Sequence, residues 1–343
     1  MVAEVEEAAH LATLELVVGA QWQVHRVSPL WGVPYTAGGA AREEEGMGAC
    51  PNVRRLVGEQ EGQEVYDRKA LARLGKAMAE VVGGQVEVRI EPLPGLRGTR
   101  FDSEALQVVV EQGMAGSRVE VFQGILCSVE AEELVLQSTE ATNLPVLLTR
   151  GAADTTELVV AGLERCFDCV VGRLELGAGA LQWMAAMWAG FGEELGEGGG
   201  KGGAVKLVYG LPDSLAHVRK QVSHFTFEFG AAEVRRIWRA CREVGSSEEL
   251  GQGEMEAFHR ALALHLRRTL GVRVDRLELV QVQLPFLRVH QGGRLAVAEV
   301  ARVKTVLRFL TELCQGGVLG AAPTLAMDAA MEEDTISMNH TFT

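Results

Sequence analysis

The order of apolar and polar residues along the chain predicts a mixture of helices and strands. Helical spacing predicts helices over Ala3–Val18, from Asp67 to Gly83, from a capping box at Asp154–Glu157 to about Cys169, and over Leu181–Phe191, Ala231–Arg242, Glu254–Leu270 and Val300–Cys314. Alternation predicts strands over Gln21–Ser28, Gln85–Glu91, Ala105–Glu111, Arg118–Val129, Leu144–Thr149 and Val222–Gly230, and paired strands Val272–Leu284 and Phe286–Glu299 around Gly292-Gly293. Because there is no regular β-α-β alternation, the pattern indicates an α+β fold with a long, mainly antiparallel, twisted sheet on which helices pack, in two halves.

The most apolar stretch of the chain is Leu181–Phe191, which reads LQWMAAMWAGF. A helix that is apolar on all sides must be surrounded by protein, and this one is too short to cross a bilayer. We therefore predict that Trp183, Met184, Met187 and Trp188 are structural core residues. An aromatic box that stacks a ligand is the alternative.

Glycine-rich sequence divides the chain. Gly190–Gly203 follows the tryptophan helix, so we predict an N-terminal half over residues 1–203, which includes that helix. A C-terminal half over residues 204–315 would carry a partner-binding sheet edge, and residues 316–343 would form a disordered tail. The segment Ala37–Gly62 is rich in Gly and Glu and is predicted to be a mobile loop.

Composition is that of a globular protein with a sizeable core, since 47% of the 343 residues are hydrophobic. The acidic N-terminus is unlike a secretory signal, and no run of eighteen apolar residues occurs, so we expect an intracellular protein without a membrane span. The six scattered cysteines are expected to be free thiols. The net charge is −13, yet residues 206–314 hold 17 Lys and Arg against 12 Asp and Glu, which makes this region locally basic.

The sequence contains no recognisable catalytic, metal or cofactor motif. Gly196–Gly203 lacks the first glycine of a P-loop and the Ser or Thr after Lys201. Cys166 and Cys169 form a lone CxxC late in a predicted helix, which favours buried structural thiols over a redox pair or zinc site. We expect no catalytic, metal-binding or cofactor-binding residue. The alternative is an intracellular enzyme with a pocket between the halves, for which the only polar cluster is Cys166, Cys169, His217 and His224.

Three motifs carry a resemblance to a known family. The segments LPVLLTRGA (Leu144–Ala152), RCFDC (Arg165–Cys169) and WMAAMW (Trp183–Trp188) occur in an order that resembles the centromere protein L family of the inner kinetochore. The resemblance covers about residues 5–315. The basic N-terminal tail expected in that family is absent, and the tail after residue 315 has no recognised counterpart.

The resemblance implies a non-enzymatic structural subunit that helps to hold centromeric chromatin and assemble the kinetochore. Its implied partners are centromere protein N, in a heterodimer, other inner kinetochore subunits, and centromeric nucleosome or linker DNA through the complex. Its implied location is the nucleus, at the centromere and kinetochore of the chromosome. It also implies a fold similar to that of a bacterial recombination-associated DNA-binding protein.

The region Val272–Glu299 supplies the predicted partner edge, because long apolar strands with few charges would aggregate if they were left uncovered. The predicted partner-binding residues are Leu284, Phe286, Leu287, Val289, Leu295 and Val297. The resemblance names centromere protein N as the partner. Self-association through the same edge is the alternative.

A positive face is the predicted approach to DNA, since an acidic protein must meet chromatin through a segment of opposite charge. The predicted DNA-facing residues are Arg288, Arg294, Arg302 and Lys304, of which the first two flank a turn. No recognition helix accompanies them, so the expected contacts are to phosphates and carry little sequence information. A solvated strand and helix face is the alternative for each residue.

Overall fold

The structure, a computed structural model, describes residues 11–33, 35–36, 65–96, 103–113, 117–129, 141–190, 204–211, 223–242 and 250–316. The predicted mobile loop Ala37–Gly62, the predicted boundary at residue 203 and the tail after Gly316 lie outside the described residues.

Seven helices and fifteen strands occur within the described residues. The helices are α1 (residues 11–17), α2 (Arg68–Val82), α3 (Ala153–Phe167), α4 (Ala178–Gly190), α5 (Ala231–Cys241), α6 (Gln252–Leu270) and α7 (Val303–Gln315). The strands are β1 (Gln21–Val27), β2 (Leu30–Trp31), β3 (Tyr35–Thr36), β4 (Val65–Tyr66), β5 (Val86–Leu93), β6 (Ala105–Gln112), β7 (Val119–Cys127), β8 (Ala141–Thr142), β9 (Val146–Gly151), β10 (Val171–Arg173), β11 (Ala204–Gly210), β12 (His224–Gly230), β13 (Glu278–Leu284), β14 (Leu287–His290) and β15 (Arg294–Val297).

The chain forms two compact units. Unit 1 comprises the described residues within 1–174 and 292–317, and unit 2 comprises those within 175–291. The boundaries between these units, after residues 174 and 291, therefore differ from the boundary between the predicted halves, 1–203 and 204–315. The tryptophan helix α4 belongs to unit 2, and the last strand and helix of the chain belong to unit 1.

In unit 1 six strands lie side by side in the order β15-β1-β9-β7-β6-β5, and β10 also pairs with β1. Every one of these pairs is antiparallel. Helices α2 and α3 cover one face, where Met78 and Phe167 pack with Leu147 of β9. Leu148 points the opposite way and is also fully buried, and α7 packs against β9. Both faces of the central strands are therefore covered.

In unit 2 the strand order is β12-β11-β13-β14, again antiparallel throughout. Helices α4, α5 and α6 pack together, and α4 lies against β13. Trp238 of α5 meets Phe258 of α6 edge-on, with ring centroids 5.6 Å apart. Ten antiparallel strands with helices packed on them confirm the predicted α+β fold class.

The starts of α3 and β13 differ from the predicted ones. Strand β9 runs to Gly151 and leaves only Ala152 before α3, so Ala152 is the N-cap, and Asp154 lies in the first turn instead of capping the helix. The predicted strand Val272–Leu284 begins with a 3₁₀ turn, because the amide of Leu277 donates to the carbonyl of Val274, and only Glu278–Leu284 is extended.

Candidate interaction surfaces

The tryptophan helix α4 is largely buried in unit 2. Met184, Met187 and Trp188 are core residues, with 0, 8 and 2% of their surface exposed. Trp183 is only partly buried, so its prediction as a core residue is corrected. It lies next to Gln182, which is also partly exposed and whose carbonyl accepts a hydrogen bond from Nε2 of His259 at 2.8 Å. The helix therefore has one side that its neighbours cover incompletely.

The side chains predicted to bind a partner all lie in the core of the chain itself. Leu284, Phe286, Leu287, Val289, Leu295 and Val297 are each at most 4% exposed. The reason is strand alternation: in β14, Leu287 and Val289 point inward while Arg288 between them is exposed. A partner that docks on the folded chain would not touch these six side chains, so their prediction as contact residues is corrected.

The outermost strand of unit 2 is β12. The predicted edge strand β13 is interior, because it pairs with β11 on one side and with β14 on the other. Among the described residues, β12 pairs with β11 alone. Phe227 and Phe229 of β12 point into the core, whereas Thr226, Glu228 and part of Phe225 are exposed. This strand presents backbone hydrogen-bonding groups at an open edge.

The predicted DNA-facing residues have unequal exposure. Arg288 and Arg294 are exposed, as their positions beside the turn suggest. Arg302 and Lys304 are partly buried and interact with other groups. They stand at the N-terminus of α7, where the helix dipole disfavours cations. Arg288 belongs to unit 2 and the other three to unit 1, so only those three share a unit.

A second cationic surface lies on α6 and was not predicted from the sequence. Arg260, Arg267 and Arg268 are exposed, and among the described residues none of the three forms an ion pair. Leu264 lies on the same side of the helix and is 43% exposed. The spacing i, i+4, i+7, i+8 places these residues along one stripe, a signal that could have identified them. We call these four residues the α6 arginine face.

The CxxC cysteines are poor nucleophiles. Cys169 is buried just beyond the end of α3, and burial, with a further contribution from Glu164, raises the pKa of its thiol to about 12. Burial also raises the pKa of Cys166. Thiols with raised pKa values stay protonated near neutral pH and react slowly. This agrees with the structural role that the sequence favoured.

The four residues of the alternative enzyme site are distributed along the chain. Cys166 and Cys169 belong to unit 1, His224 belongs to unit 2, and His217 lies outside the described residues. His224 is exposed, and its Nδ1 lies 2.8 Å from the hydroxyl oxygen of Ser223. Within the described ranges, no group of three or more His, Cys, Asp or Glu side chains is arranged to hold a metal ion. No helix in the same ranges has the length and apolarity of a membrane span.

Two histidines are held neutral by burial. Nε2 of His25 lies 3.0 Å from Oγ1 of Thr149, and burial together with the charge of Arg173 lowers the pKa of His25 to about 4. Burial also lowers the pKa of His259 to about 4, although its hydrogen bond to the carbonyl of Gln182 opposes that shift. Both side chains are structural, since the bonds they make connect neighbouring elements.

Sequence comparison identifies the family of the chain. The family model described as Centromere protein L matches residues 16–315, which include almost all of the described structure. The chain belongs to the centromere protein L family. It is 24% identical over 310 residues to centromere protein L of Xenopus tropicalis, and this alignment covers 88% of this chain and 79% of that protein. It is 26% identical over 246 residues to centromere protein L of Gallus gallus, and this alignment covers 69% of this chain and 68% of that protein. Membership of the centromere protein L family gives the chain a role as a centromere protein.

Proposed function

We propose that the chain is a non-enzymatic structural subunit of the inner kinetochore, which pairs with centromere protein N and helps to hold centromeric chromatin in the nucleus. The observation that carries this proposal is the family match, because it runs through both units from residue 16 to residue 315. Other inner kinetochore subunits and centromeric nucleosome or linker DNA are the remaining partners. A fluorescently tagged chain should concentrate at centromeres; a diffuse nuclear signal would contradict the proposal.

The open edge of β12 is the proposed contact with centromere protein N. Partner strands commonly add to such an edge, where main-chain hydrogen bonds provide affinity and side chains provide specificity. The exposed residues Phe225, Thr226 and Glu228 lie along β12. The proposed contact is still a sheet edge in the C-terminal region, as the sequence predicted. It now lies on β12 and no longer involves the buried side chains in the region of β13, β14 and β15.

Co-purification of the two subunits tests the edge. Phe225→Glu places a charge at the open strand, and we expect it to reduce recovery of the heterodimer while the chain remains folded. Val119→Glu is the matched control, because Val119 is an exposed apolar residue at the start of β7 in unit 1. If Phe225→Glu and Val119→Glu co-purify equally well with centromere protein N, the interface lies elsewhere.

Contacts to DNA phosphates are the proposed function of the exposed cations. Arg288 and Arg294 are the better placed of the four predicted residues, whereas Arg302 and Lys304 are partly buried. For the heterodimer, we expect the slope of log affinity against log salt to flatten by about 0.9 for each phosphate contact that is removed. The double variant Arg288→Glu with Arg294→Glu should flatten this slope. The further changes Arg302→Glu and Lys304→Glu should flatten it by a smaller additional amount. An unchanged slope would show that Arg288 and Arg294 do not contact DNA.

A further inference from the structure

The α6 arginine face is an exposed cluster of like charges. Arg267 and Arg268 stand in the last turn of the helix, where they interact favourably with the helix dipole. Arg260 is too far from that end to gain from the dipole. Three cations along one stripe give this part of the surface a positive potential, which favours the approach of an anionic group.

Exposed leucines distinguish this surface from a plain cationic one. Leu264 lies among the three arginines, and Leu270, at the end of the same helix, is 61% exposed. A ligand that covers the stripe fully must therefore offer apolar groups as well as negative charge. A peptide with acidic and apolar side chains meets both requirements, whereas a phosphate backbone meets only the first.

The C-terminal tail of the same chain has this composition. Residues 317–343 contain Asp328, Glu332, Glu333 and Asp334 but neither Lys nor Arg. Leu325, Met327 and Met331 lie within or beside the acidic group. Residues 325–334 lie nine to eighteen residues beyond Gly316, which at about 3.3 Å for each residue is a reach of roughly 30 to 60 Å, whereas a chain of this length has an expected radius of gyration of about 20 Å.

We propose that the acidic tail segment, residues 325–334, docks on the α6 arginine face of its own chain. The carboxylates of the segment neutralise Arg260, Arg267 and Arg268, and its apolar side chains cover Leu264 and Leu270. This contact is a function of the tail that is independent of centromere protein N. It keeps a cationic surface of an acidic protein away from unrelated polyanions.

Hydrogen exchange of the full chain tests the proposal. Amides of residues 325–334 should exchange several-fold more slowly at low salt than at high salt, because a few exposed ion pairs of modest strength hold the segment and salt screens them. Reversal of the face by Arg260→Glu, Arg267→Glu and Arg268→Glu should abolish this protection. Adding Asp328→Lys, Glu332→Lys and Glu333→Lys to that variant should restore it, which a merely destabilised protein would not do.

A charge-matched control uses the exposed cations of α2 in unit 1. Arg68→Glu, Arg73→Glu and Lys76→Glu change the net charge by the same amount and should leave the tail protected. Equal exchange of the tail in the wild type, the face variant and the control would overturn the proposal. Protection that disappears on dilution would also overturn it, since the tail would then dock on a second copy.

Discussion

The ring of Trp188 meets the ring of Phe286 edge-on, with the centroids 6.1 Å apart and the planes at 73°. Trp188 belongs to α4, and Phe286 occupies the turn between β13 and β14. Both rings are almost completely buried. Through this pair the tryptophan helix packs against the sheet of unit 2. Phe286, a predicted partner-binding residue, is therefore a core residue.

Replacement of the two tryptophans of α4 should distinguish the buried Trp188 from the partly buried Trp183. We expect Trp188→Ala to lower the free energy of unfolding by about 3–5 kcal/mol, because it leaves a cavity beside Phe286. Trp183→Ala should cost clearly less, since its side chain is only partly buried. Urea unfolding measures both variants, and an equal loss for the two would contradict the burial described above.

Leu287→Glu should unfold unit 2 instead of selectively weakening partner binding. The side chain is 2% exposed, and a carboxylate there would be buried without a partner. Arg288→Glu, on the exposed side of the same strand, is the control and should leave the far-UV spectrum and melting temperature nearly unchanged. A folded Leu287→Glu protein that fails only to bind centromere protein N would restore the original interface hypothesis.

Gly293 should not tolerate a side chain. It has φ +74°, and an added Cβ would overlap the carbonyl oxygen of Leu174. We expect Gly293→Ala to lower the free energy of unfolding by at least about 2 kcal/mol, from backbone strain and the clash together. Gly172→Ala is the control, because its backbone is ordinary and nothing lies within 4 Å of the new atom. Equal melting temperatures for these two variants would contradict the close approach.

Stability should fall as pH drops from about 6.5 to about 4, in part because of His259. Its pKa is lowered to about 4 in the folded chain, so the unfolded chain binds a proton first as the pH falls through this range. The contribution of His259 to the free energy of unfolding is therefore fully present above about pH 6.5. His259→Gln keeps a donor for the carbonyl of Gln182 and should make the fall in unfolding free energy shallower by up to about 1 kcal/mol per pH unit. An unchanged pH profile would show that folding does not lower the pKa of His259.

Native alkylation should distinguish the cysteines. Burial raises the pKa of Cys169 and of Cys314 to about 12, so iodoacetamide should modify neither thiol appreciably at pH 7.5 in the folded protein. Both should react in denaturant, as mass spectrometry of the peptides would show. Rapid modification of native Cys169 would revive the enzyme hypothesis, because it would indicate a stabilised thiolate.

Local sequence determined much of the secondary structure. Asp67 caps α2 through hydrogen bonds from the amides of Lys69 and Ala70, and Gly271 ends α6 in the left-handed conformation, both as predicted. These features depend on residues within one turn of each other, so spacing alone reveals them. The family resemblance likewise depended on short motifs, and the family match confirmed it.

Tertiary structure decided which surfaces are available. Alternation in β14 shows that Leu287 and Arg288 point to opposite faces, but only the pairing of distant strands shows which face is covered. The open edge is β12 and not the predicted stretch Val272–Glu299 for the same reason, since β11, which is distant from β13 in sequence, lies between β12 and β13. Burial and edge position are properties of several segments together, and a single segment contains no information about its neighbours across the sheet.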